Sequence, residues 1–145
     1  MPLREPLTDA VAAAWREEVR RLVDARPRKH FAGRLHVGRA GGPSVDDTPP
    51  DRAGLDAALR TDLLDALLQR WSESATGRAS PHAPVLWWVR PGVPERHDDD
   101  VAWLAAARAA CAQRTLRRTF VVVTRVGWYD PETEVGRRWT RVRVR

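Results

Sequence analysis

The residues best suited to polar chemistry fall late in the chain. They are Arg90, the run His97-Asp98-Asp99-Asp100, then Arg125 and Trp128-Tyr129. Two guanidinium groups can hold a carboxylate or phosphate through paired hydrogen bonds. His97 can accept or donate a proton, and Trp128 or Tyr129 can stack on a ring. Arg90, His97, Asp98, Arg125, Trp128 and Tyr129 are therefore the candidate ligand-binding set. The acids would oppose an anion unless the arginines neutralise them, so internal pairing of acid with arginine is the competing expectation.

Other chemistries have weaker footing. Hard cations need several converging oxygens, and neighbouring aspartates at one helix start seldom converge. The acidic run reads instead as a helix cap complementing the helix dipole. His30, His36, His82 and His97 have no paired ligand spacing, and Cys111 is the lone cysteine. No zinc signature follows, so neither a metal site nor a cofactor is expected. The histidines read as surface or edge residues, and Cys111 as a small buried group. The chain contains no GxxxxGK[ST], GxGxxG or GxSxG motif. Ser44, Ser72, Ser74 and Ser80 all fall in predicted loops, where a rigidly held nucleophile is not expected.

Lys29 is the only lysine, and the other basic residues are arginines. Genome composition explains this more simply than selection for anion binding. The basic charge is concentrated in residues 1–40 and 114–145, with an acidic excess between. Arg141, Arg143 and Arg145 would share one face of a strand, about 6.6 Å apart. That row could follow a nucleic-acid backbone, or it could protect a strand edge from pairing.

The elements that must position these groups are legible in outline. At 145 residues the chain is expected to form one α/β domain, 1–145. Val85 to Val89 and Phe120 to Thr124 are apolar on both faces, as strands covered on two sides are. An Ala-rich helix from about Asp99 to Arg114 would join them as a βαβ unit, with Ala102, Ala105, Ala106, Ala109 and Ala112 against the sheet. Thr8 caps a first helix to about Ala25, and Pro27 ends it. Phe31, Gly33, Leu35 and Val37 alternate with Ala32, Arg34 and His36 as a strand with one apolar face. Asp51 would cap a helix from about Arg52 to Trp71 whose wide leucine arc suits burial or self-association.

Residues 40–52 and 72–84 read as flexible loops. After a long turn from Trp128 to Gly136, Arg138 to Arg145 would close a C-terminal β-hairpin. The scheme is a mixed sheet of about four strands with about three helices. Trp15, Leu22, Leu59, Leu63, Leu67, Leu86, Trp87, Leu104 and Phe120 to Val123 form the expected core.

No apolar run is long enough to span a membrane, and no apolar signal core opens the chain. A bacterial cytoplasmic setting is expected. Three functions fit. The first is a non-catalytic binding or interaction module with a protein partner or a second copy. The second is a nucleic-acid binder using its basic ends. The third is an enzyme of unrecognised type working through Arg90, His97, Asp98 and Arg125.

Overall fold

In a computed structural model describing residues 1–50 and 55–139, the chain is α/β. A six-stranded mixed sheet lies between helices on its two faces. The elements are α1 (Asp9–Ala25), β1 (Arg34–Gly38), β2 (Ser44–Asp47), α2 (Ala57–Glu73), α3 (Ala75–Ala79), β3 (Val85–Val89), α4 (Asp98–Gln113), β4 (Phe120–Thr124), β5 (Gly127–Tyr129) and β6 (Gly136–Arg138). The sheet order is β2-β1-β3-β4-β5-β6. β3 and β4 are parallel, and every other neighbouring pair is antiparallel.

Strand pleating sorts the side chains to two cores. Leu35, Val37, Leu86, Trp88, Phe120, Val122 and Tyr129 face α2 and α4. Trp87, Val89, Val121, Val123 and Trp128 face α1, where they meet Trp15, Val19 and Leu22. Tryptophans concentrate in both layers. Trp15 meets Trp87 edge-on at 5.7 Å between ring centres and Trp128 at 6.3 Å, while on the other face of the sheet Trp88 lies 5.4 Å from Trp103 of α4. Aromatic burial on this scale is a large part of the hydrophobic driving force.

The helix ends obey local rules. Thr8 caps α1 by accepting from the Val11 amide at 3.2 Å. Asp56, not Asp51, caps α2 by accepting from Leu59 at 2.8 Å; Asp51 lies outside the described residues. His97 caps α4, its Nδ1 accepting from the Asp99 amide at 3.3 Å.

Several expectations need correction. Among the described residues the sheet has six strands and there are four helices. β2 occupies part of the expected 40–52 loop: Gly41 and Gly42 turn the chain, with the Gly42 amide bonded to the Arg39 carbonyl at 2.9 Å, and β2 returns antiparallel to β1. α3 lies within the expected 72–84 loop. β5 replaces part of the expected long turn, so the C-terminal hairpin is a three-stranded meander, β4-β5-β6. Leu59 is 38% exposed, because Leu64, Leu67, Leu68 and Trp71 are the buried face of α2. On α4 the inward alanines are Ala106, Ala107 and Ala110, and Ala105, Ala109 and Ala112 are exposed. Among the described residues, no helix is long and apolar enough to cross a membrane.

Candidate functional site

The residues singled out from the sequence divide between different places. Arg90 follows Val89, so alternation sends it to the α4 side of the sheet. There its Nε and Nη2 donate to Asp100 Oδ1 and Oδ2 at 2.7 and 2.8 Å. Its remaining donors reach the Pro91 and Glu95 carbonyls at 2.8 and 3.0 Å. The Tyr129 hydroxyl also donates to Asp100 Oδ2. Burial disfavours the charge on Arg90, but its bonds to Asp100 win and hold its pKa above the ordinary value. Burial and the same carboxylate raise the Tyr129 phenol. This is a closed structural knot that ties β3, α4 and β5 together.

Asp98 is exposed at the start of α4. Arg90 and His97 line a cavity of about 390 Å³ with Trp88, Trp103 and Arg60. Trp128 is fully buried on the other face, against α1. Arg125 sits in the β4–β5 turn with its Nε buried and without a hydrogen-bond partner among the described residues. Arg90, Arg125 and Trp128 thus do not meet in one concavity. Arg141, Arg143 and Arg145 lie outside the described residues. Among those described, no group of three or more His, Cys, Asp or Glu side chains is placed to hold a metal ion.

A different cleft collects side chains with unspent chemistry. α1 lies over β4 and β5, and beside its second half the face built by β1, β2 and β3 opens into a cavity of about 330 Å³. Leu22, Phe31, Trp87 and Val89 supply apolar wall, and Glu18, Arg21, Arg26, Arg34, His36, Ser44 and Asp46 supply polar groups.

Register explains the assembly. His36 stands directly across from Asp46 on one side and Trp87 on the other, so all three share one face of the sheet. The His36 ring stacks on Trp87, 5.0 Å between centres and within 4° of parallel. Its Nδ1 lies 3.2 Å from Ser44 Oγ. Arg34 binds Asp46 at 2.6 Å. Glu18, buried on α1, accepts from the Gly41 amide at 3.3 Å and lies 3.6 Å from Arg21. Arg21 in turn donates to the Gly41 and Gly42 carbonyls at 3.0 and 2.9 Å.

Burial sets the electrostatics at the base of this cleft. Burial lowers His36 to a pKa of about 4, with Arg34 and Arg21 adding to the effect and Asp46 opposing it. Burial also raises Glu18, against the Gly41 hydrogen bond and the Arg21 charge. His36 is therefore a neutral imidazole at neutral pH. When the Ser44 hydroxyl donates to Nδ1, the ring proton sits on Nε2.

Two expectations change here. His36 is half-buried on β1, an interior strand, rather than a surface or edge histidine, and Ser44 is held in a strand. A signal for the cleft was present in α1. Trp15, Glu18, Val19 and Leu22 follow the spacing of one buried stripe, and a carboxylate in that stripe needs a reason to be there. In comparisons with known proteins, no family model, no curated protein and no solved structure matches the chain.

Proposed function

We propose that this chain is a non-catalytic α/β binding module, and that the cleft between α1 and strands β1 to β3 takes a small molecule. The observation that carries the reading is the neutral His36 ring stacked on Trp87 in a cleft with apolar walls. A preformed, largely apolar cavity with a few placed polar groups is the usual form of a small-ligand site. Its volume, about 330 Å³, suits a small organic ligand.

The polar geometry favours binding over catalysis. A serine nucleophile needs a base whose pKa lies near the working pH, and His36 at about 4 is too weak a base for that work. In a triad the acid orients the histidine through the ring nitrogen opposite the nucleophile. Here Ser44 occupies Nδ1, and Asp46 is engaged by Arg34.

The test is a thermal-shift screen of small organic ligands against the wild-type chain and Ala25→Trp, which places a large ring at the cleft wall. Ligands that raise the wild-type melting temperature should leave Ala25→Trp unmoved. Equal shifts in both proteins would place binding elsewhere. An ester-hydrolysis assay checks the enzymatic alternative: turnover abolished by either Ser44→Ala or His36→Ala would overturn the reading.

A further inference from the structure

Resting on the binding reading above, we infer that the ligand of the α1–sheet cleft is a monoanionic organic acid with an apolar body, a carboxylate of about the size of phenylacetate. The argument begins with charge. Three guanidinium groups and two carboxyl groups line the cleft. Arg34 is matched by Asp46 at 2.6 Å. Arg21 faces Glu18 at 3.6 Å and donates to two backbone carbonyls. The Arg26 guanidinium carries no hydrogen bond or ion pair among the described residues. It sits where α1 ends, with its backbone amide bonded to the Leu22 carbonyl at 2.8 Å, so its position is set by the helix while its guanidinium is unspent.

One uncompensated cation beside an apolar wall selects one negative charge. A guanidinium pairs with a carboxylate through two parallel hydrogen bonds. A phosphate monoester would bring close to two charges, and the second would face Asp46 and Glu18. An ammonium ligand would meet Arg26 as a like charge. The rest of the cleft suits the body of such an acid. Leu22, Phe31 and Val89 offer apolar contact, and His36 with Ser44 offers neutral hydrogen bonding near the Trp87 ring.

The experiment is calorimetric titration of the full chain at neutral pH with phenylacetate, 2-phenylethanol, phenyl phosphate and phenethylamine. Phenylacetate should bind at least tenfold more tightly than the uncharged alcohol and more tightly than the phosphate, and the amine should bind weakest. In Arg26→Gln the acid-to-alcohol ratio should fall below threefold with the alcohol's own affinity unchanged. Arg26→Lys should restore part of the ratio, which separates lost charge from lost folding. Equal affinity for acid and alcohol, tighter phosphate binding, or an unchanged ratio in Arg26→Gln would overturn the inference and leave the binding module standing. If none of the four probes binds, the inference fails. If the ligand screen also finds nothing whose effect Ala25→Trp removes, the binding reading fails with it.

Discussion

Asp100→Asn should be among the most damaging single substitutions in this protein. The Asp100 side chain is 0% exposed and accepts two hydrogen bonds from Arg90 and one from Tyr129. Asparagine is nearly isosteric but carries no charge and one acceptor oxygen instead of two. Arg90, itself buried, would keep its charge and lose its counterion. Breaking a buried ion pair from one side costs roughly 3–5 kcal/mol, against a total stability of about 5–15 kcal/mol for a domain of ordinary size. At this length the melting temperature should fall by roughly 10–15 °C.

Urea denaturation followed by circular dichroism measures the loss directly, and an unchanged m-value would show that the unfolded state is not the cause. Tyr129→Phe removes one hydrogen bond to the same carboxylate and should cost roughly 1.5–3 kcal/mol. The double variant should cost clearly less than the two single losses together, because both act through one carboxylate. A loss under about 1 kcal/mol for Asp100→Asn, or strict additivity with Tyr129→Phe, would refute the reading of Arg90, Asp100 and Tyr129 as one structural unit.

Two further outcomes test other parts of the structure. His36 stays neutral when folded down to about pH 4, whereas an unfolded histidine protonates near 6.5. Between those values the unfolded state binds the extra proton, so stability falls as pH falls. His36→Gln should remove up to about 3 kcal/mol of that loss across the window. Glu18 and Asp130 are both raised by burial and act in the opposite direction in both proteins. Parallel stability curves for wild type and variant, measured by denaturation at several pH values, would contradict a buried neutral imidazole. A methyl group at Gly33 would meet the Trp88 ring at 2.1 to 2.9 Å. Gly33→Ala should therefore cost roughly 1–3 kcal/mol by overpacking, and a neutral result in urea would mean that the Trp88 ring has room to move.

How far the sequence reaches depends on how local each signal is. β3 and β4 were legible because five consecutive residues in each are apolar on both faces, which leaves little but a covered strand. β2 was not, because Ser44-Val45-Asp46-Asp47 contains a single apolar residue; short, charged segments of this kind are how sheets protect their edges. The same lack of pattern hid β5, whose three residues Gly127 to Tyr129 are too few to establish a period.

The candidate ligand set failed to assemble for a different reason. Its members share nearness to strand ends, but a pleated strand sends successive side chains to opposite faces. Trp128 and Tyr129 are adjacent in the chain and end in different cores. Arg90 follows the same parity to Asp100, where its donors are already used. The cleft was within reach of that rule. Leu35 and Val37 mark one buried face of β1, so His36 must point to the other. Whether that other face meets water or a helix is decided by α1, whose stripe of Trp15, Val19 and Leu22 requires a sheet to cover. A carboxylate within that stripe, Glu18, and a histidine between two core residues are the two places where polar groups break an apolar pattern. They fall in elements separated along the chain, and the sheet order brings them to the same cleft. Strand parity and helix spacing together are what bring these two polar breaks to one face, and distance along the chain conceals it.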